Sequence, residues 1–243
     1  MSRRRTSSTH LRSDRGTVPS ARLAGHDDVG ALPRRFAVGH PGDGLRYVES
    51  VVPATRTVGA LLGGEVIVER AATPTRLLHK VLPVADVLHV TCHGACDPVS
   101  PLLSCLLLEP DTQHPDGRLM FYEILGVPVR ATVLSLGACQ TAKSDGPVSF
   151  PESLAHALLG AGARFVLASL WDADPEECAA FHHEFYLALR EDQDPVTAFK
   201  RAQQTQIEAW QALRDRGDGP TCDEALAKRA NFVLLSARST SAG

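Results

Sequence analysis

Two residues stand out for the chemistry they could share. His93 lies in Leu88-His89-Val90-Thr91-Cys92-His93-Gly94, and Cys139 lies in Val133-Leu134-Ser135-Leu136-Gly137-Ala138-Cys139-Gln140-Thr141. A thiol with the ordinary pKa of about 8.5 is only slightly ionised at neutral pH, and the thiolate is the reactive form. An imidazole that takes the thiol proton, or hands one to a leaving group, turns such a cysteine into a nucleophilic catalyst. Each residue follows a short apolar run that reads as a buried strand. Two strand ends in one sheet would let the pair meet.

The elements that must position the pair alternate between strand and helix from Arg34 onward. Strands are expected at Phe36–Val38, Glu65–Val68, Asp86–Thr91, Leu106–Leu108, Ala131–Leu136, Arg164–Leu170 and Asn231–Leu235. Helices are expected over residues 46–62, from Thr73-Pro74, from Ser149-Phe150-Pro151-Glu152 to Leu159, from Asp174-Pro175, and from Asp194-Pro195 to about Leu213. An Asp or Thr followed by proline is a helix start, because the side chain caps a free N–H and proline needs none. The alternation predicts an α/β fold of three layers around a mostly parallel sheet. Ligands of such sheets bind beyond the carboxyl ends of the strands, where both His93-Gly94 and Cys139-Gln140 fall.

Composition sets the outer limits. The chain has 243 residues, 44% of them apolar, and a net charge of -3. That suits one domain with a substantial core and gives no global field for nucleic acid. No apolar run approaches the roughly 20 residues that span a bilayer, and no secretory signal follows the basic start. The six cysteines form no disulfide framework; free thiols in a reducing cytoplasm are the expectation. Residues 1–32 read as a disordered tail, 33–236 as the folded domain and 237–243 as a short C-terminal tail.

Four blocks, in order, resemble the CHAT domain, a caspase-like cysteine peptidase family of the same clan as caspases, separases and gingipains. They are Ala85 to Gly94, Leu134 to Thr141, Leu154 to Trp171, and Ala198-Phe199-Lys200-Arg201-Ala202-Gln203. The separation 139 − 93 = 46 is close to the roughly 50 residues between histidine and cysteine in caspase signatures. The resemblance implies a caspase-like three-layer sandwich and a cysteine endopeptidase acting on a protein substrate. It implies His93 as the group that protonates the leaving amine and Cys139 as nucleophile, with the N–H groups of Gly94 and Cys139 as an oxyanion hole.

A substrate pocket would draw on Asp97, Gln140, Ser169, Trp171 and Asp172, with a carboxylate where a basic side chain is to be held. Asp174 reads better as a helix cap. The chain departs from the family pattern at Cys139-Gln140-Thr141-Ala142, where Cys-Glu-Thr-Gly is common. It also lacks the tryptophan before Ala230-Asn231-Phe232. Those departures leave a catalytically inactive interaction module as the alternative. The helical repeats that often flank the domain are missing, which points to an activating or regulatory partner on a separate chain.

No cofactor or metal is expected. His89, Cys92, His93 and Cys96 do not complete a zinc site, because residues of one strand alternate between its faces. His89 reads instead as a core histidine with a backbone partner. An α/β-hydrolase esterase is a third, minor alternative, as no Gly-x-Ser-x-Gly elbow is present.

Overall fold

The computed structural model describes residues 32–95, 97, 100–137, 154–170, 175–192, 194–217 and 231–237. In chain order the elements are β1 (Arg35–Gly39), α1 (Val51–Leu62), β2 (Glu65–Val68), α2 (Pro74–Arg76, continued by a π-turn Leu77–Val81), β3 (Val87–Thr91), β4 (His93–Ala95), β5 (Cys105–Leu107), β6 (Arg118–Met120), α3 (Phe121–Ile124), β7 (Val133–Leu136), α4 (Leu154–Gly160), β8 (Phe165–Ser169), α5 (Pro175–Asp192), α6 (Pro195–Asp215) and β9 (Phe232–Ser236).

Among the described residues the main sheet has six strands in the order β2-β1-β3-β7-β8-β9. All neighbours are parallel except β8 and β9. The central strands are apolar on both faces because both faces are covered. Leu88, Val90, Leu134, Leu136 and Val166 join the core shared with α2, α3 and α4. Val87, Val133, Phe165 and Leu167 join the other core, with Phe181, Phe185 and Tyr186 of α5 and Ala198 of α6. This is the expected three-layer α/β sandwich.

Strand β6 and helix α3 have no counterpart in the sequence reading, and two further differences bear on the site. The first helix begins at Val51 rather than Arg46. Pro53 explains this: proline is tolerated in the first helical turn, but further in its ring clashes with the preceding turn. Second, β3 ends at Thr91, and His93 opens β4 in a separate antiparallel sheet, β4-β5-β6. Gly94 is paired with Leu106 there. Strands of three residues are too short for their periodicity to be read.

The helix starts that fall on described residues behave as expected. Thr73 Oγ1 accepts from the Arg76 N–H at 3.3 Å, and Asp194 Oδ2 accepts from the Thr197 N–H at 2.9 Å. Ser149–Glu152 and Asp174 lie outside the described residues.

Candidate active site

His93 follows the carboxyl end of β3 after a one-residue bend. Its Nε2 lies 2.5 Å from the backbone carbonyl oxygen of Arg46, in the segment between β1 and α1. A carbonyl only accepts, so Nε2 carries the proton of the neutral ring and Nδ1 keeps the lone pair. The acceptor thus fixes both tautomer and ring orientation. Gly42, with φ +82°, packs against the same ring: a Cβ there would stand 2.8 Å from His93 Cδ2.

The chain on the neighbouring strand is held by register. Val87, Leu88, His89 and Val90 of β3 lie opposite Val133, Leu134, Ser135 and Leu136 of β7. The Gly137 N–H then donates to the Val90 carbonyl at 2.7 Å. A Cβ on Gly137 would stand 2.9 Å from Thr91 Oγ1, so glycine is what lets the two strand ends approach.

A cavity of about 70 Å³ opens between α1 and α5 at these strand ends, lined in part by Val51, His89, His93, Gly137, Ser169 and His182. Its lining contains no carboxylate among the described residues. Ser169 is buried, at the end of β8. Asp97, between β4 and β5, has its carboxylate on a backbone group: Oδ1 accepts from the Ser100 N–H at 2.8 Å. Its own N–H donates to Ser104 Oγ at 2.9 Å. Cys139, Gln140, Trp171 and Asp172 lie outside the described residues.

Two buried histidines lie among the residues that line the cavity. His89 is 2% exposed, as is His182, and their rings meet edge to face at 4.9 Å. The expected backbone partner of His89 is replaced by a side chain, since its Nε2 lies 2.5 Å from Thr91 Oγ1. The reason is the strand period: residues 89 and 91 project from the same face. Burial pushes the His182 pKa down to about 4, against a bond to the Cys178 carbonyl that favours the charged ring. Burial, and then the neighbouring His182, hold His89 well below the usual histidine range. Both rings are neutral at pH 7, and His89 Nδ1 and His182 Nε2 have no hydrogen-bond partner among the described residues.

Cys92 joins the core shared with α2, α3 and α4 and also borders this cavity. Cys92, Cys105 and Cys178 are thiols rather than half-cystines.

The family model of the CHAT domain matches residues 4–239. The chain belongs to the CHAT domain family. Among solved structures, the Arg-specific cysteine proteinase gingipain R (RgpB) matches with a TM-score of 0.57 at 10% identity, over 84% of this chain and 46% of that one. A complex of the Porphyromonas gingivalis RgpB pro- and mature domains matches with a TM-score of 0.53 at 11% identity, over 84% of this chain and 47% of that one. The CHAT chain therefore spans about half the length of these gingipain chains, and at such identities the likeness is one of fold. No curated protein matches it. Among the described residues no helix is long and apolar enough to cross a membrane.

Four contributors to this region had no sequence signal. Arg46 acts through its backbone carbonyl, which any residue type supplies. Gly42, His182 and His40, whose N–H donates to the Thr91 carbonyl at 2.9 Å, acquire their neighbours only through the fold.

Proposed function

We propose that this CHAT domain is a cysteine endopeptidase that cuts a protein substrate with Cys139 as nucleophile and His93 as its proton partner. The observation that carries the reading is a register. Strands β3 and β7 are offset by 136 − 90 = 46 residues, the separation of His93 and Cys139. The N–H of Gly137, two residues before Cys139, is already bonded to β3. Two further residues of backbone reach at most about 7 Å.

The chemistry follows from the fixed tautomer. With Nε2–H held by the Arg46 carbonyl, Nδ1 is the atom that takes the Cys139 proton. The thiolate attacks the scissile carbonyl carbon, and the carbonyl oxygen becomes an oxyanion. The N–H groups of Gly94 and Cys139 would receive it, at about 3 kcal/mol per donor. Collapse breaks the C–N bond as the imidazolium returns its proton to the amine. Water, deprotonated by His93, then hydrolyses the thioester and restores the thiol.

The fold likeness to a gingipain, itself named an Arg-specific cysteine proteinase, supports the class but not the specificity. Among the described residues nothing lining the cavity would pair with a basic side chain, and Asp97 caps Ser100; Asp172 remains the carboxylate to test. We extend the proposal to a regulatory protein partner, as one RgpB structure is itself a complex of pro- and mature domains.

A peptidyl thiol-directed probe tests the reading. We expect labelling at Cys139, abolished in Cys139→Ala and slowed about 10²–10⁴-fold in His93→Ala. Unselective labelling that ignores His93 would leave the non-catalytic interaction module as the better account.

A further inference from the structure

We propose that His40, Asp43 and Glu109 form a binding site for a divalent cation of the zinc class, and that binding there alters the seat of His93. One donor atom from each residue lies within 4.8 Å of the other two. His40 Nε2 and Glu109 Oε2 are 3.2 Å apart. Two donors at about 2.05 Å from a tetrahedral zinc ion are about 3.3 Å apart, so this pair needs little movement. Asp43 closes the set from the solvent side. His40 is 3% exposed, which pre-orders the imidazole.

The donor set selects the metal. One imidazole with two carboxylates suits zinc or cobalt better than the all-oxygen demands of calcium and magnesium. The two carboxylates balance a charge of two. Arg46, Arg118 and Asp116 line the same cavity, of about 180 Å³, where Arg118 Nε lies 3.6 Å from Asp116 Oδ2.

The link to His93 is a matter of protons. The Gly42 N–H donates to His40 Nδ1 at 3.3 Å. Neutral His40 therefore carries its own proton on Nε2, directed at Glu109. A metal ion on Nε2 displaces that proton, and the neutral ring then holds its hydrogen on Nδ1. Two donors would face each other, so the Gly42 peptide must turn away. Gly42 is the residue packed on the His93 ring, and Arg46, four residues on, supplies the carbonyl that orients it. Metal binding thus reaches His93 through one peptide. The site stands independently of whether the protein is a peptidase.

The test uses the full chain with Cys139→Ala, so that no metal is held by that thiol. Cobalt titration is expected to give saturable visible absorption with one ion per chain. Glu109→Gln, which keeps a hydrogen-bond acceptor for His40, and Asp43→Asn should each weaken binding at least tenfold, with circular dichroism confirming the fold. His93→Ala, which removes the ring packed on Gly42, should bind at least as tightly. One equivalent of zinc should shift the NMR resonance of the His93 ring, and should not do so in Glu109→Gln. Absence of saturable binding, equal binding in Glu109→Gln, or loss of binding in His93→Ala would overturn the site. An unmoved His93 resonance at saturation would overturn the coupling.

Discussion

Gly42 packs so closely on the imidazole of His93 that a side chain there would collide with it. An added Cβ would stand 2.8 Å from Cδ2 and 2.9 Å from Nε2, and 2.7 Å from the Arg46 carbonyl oxygen that Nε2 donates to. The backbone at Gly42, with φ +82°, is one that L-residues rarely adopt. Gly42→Ala therefore strikes His93 twice: by contact with the ring and by displacing its acceptor.

We expect Gly42→Ala to cost about 1–2 kcal/mol of stability from the backbone alone. We expect it to slow thiol-probe labelling of Cys139 by about 10²-fold, the scale of a misplaced catalytic group. Comparing the labelling rate with the unfolding midpoint checks this. A variant that loses stability but labels at the wild-type rate would show that His93 is not positioned by this glycine.

The buried histidines predict acid sensitivity. The folded-state pKa of His182, about 4, lies below the ordinary value of about 6.5 in the unfolded chain. Between these values the unfolded chain binds the extra proton, so stability falls as pH falls through that window. One such histidine contributes about 2 kcal/mol of loss at pH 5. Chemical denaturation at pH 7.5 and at pH 5 should therefore show His182→Gln losing about 2 kcal/mol less than the wild type. Equal losses would mean that His182 charges inside the fold.

His114 predicts the opposite slope. Burial disfavours its charge, but Glu123 at 2.9 Å and Asp111 at 3.3 Å outweigh it and raise the pKa. Asp111 is itself held low: hydrogen bonds from Thr75, His114 and Gln113 overcome the cost of burial. A raised histidine stabilises most below its unfolded pKa and loses that contribution as pH rises through the folded one. The penalty of His114→Gln should therefore be larger at pH 5.5 than at pH 9. A penalty that is flat across this range would mean that His114 packs here as a neutral ring.

How much of this was legible depends on where each signal resides. The strands β3, β7 and β8 were legible because burial on both faces demands unbroken apolar runs. The starts of α2 and α6 were legible because Thr73-Pro74 and Asp194-Pro195 carry their own capping chemistry. The small sheet containing His93 was not, because His93-Gly94-Ala95 is shorter than one period of any pattern. The Arg46 carbonyl was not, because a backbone acceptor 47 residues away leaves no mark on residue type. The burial of His89 follows from its place in an apolar strand, but its Thr91 partner depends on which face each residue projects from.

The closing strand offers the last test. Phe232 of β9 stacks on Phe181 of α5, with ring centroids 4.2 Å apart and planes 9° from parallel, and both are nearly fully buried. This contact ties the one antiparallel strand of the main sheet to the helix that also carries His182. Phe232 lies opposite Ser169 in the ladder, and the Leu170 N–H donates to the Asn231 carbonyl at 2.7 Å. The end of β8, where Ser169 faces the cavity, is thus braced by β9. Phe232→Ala should cost about 3–5 kcal/mol as an unfilled core site, lowering the Tm by about 10 °C in a chain of this size. Amide exchange at Val166 to Leu170 should speed up with it, because those amides lose the brace that holds the strand. Full loss of stability with unchanged local exchange would show that β9 anchors α5 but leaves the cavity wall to β7 alone.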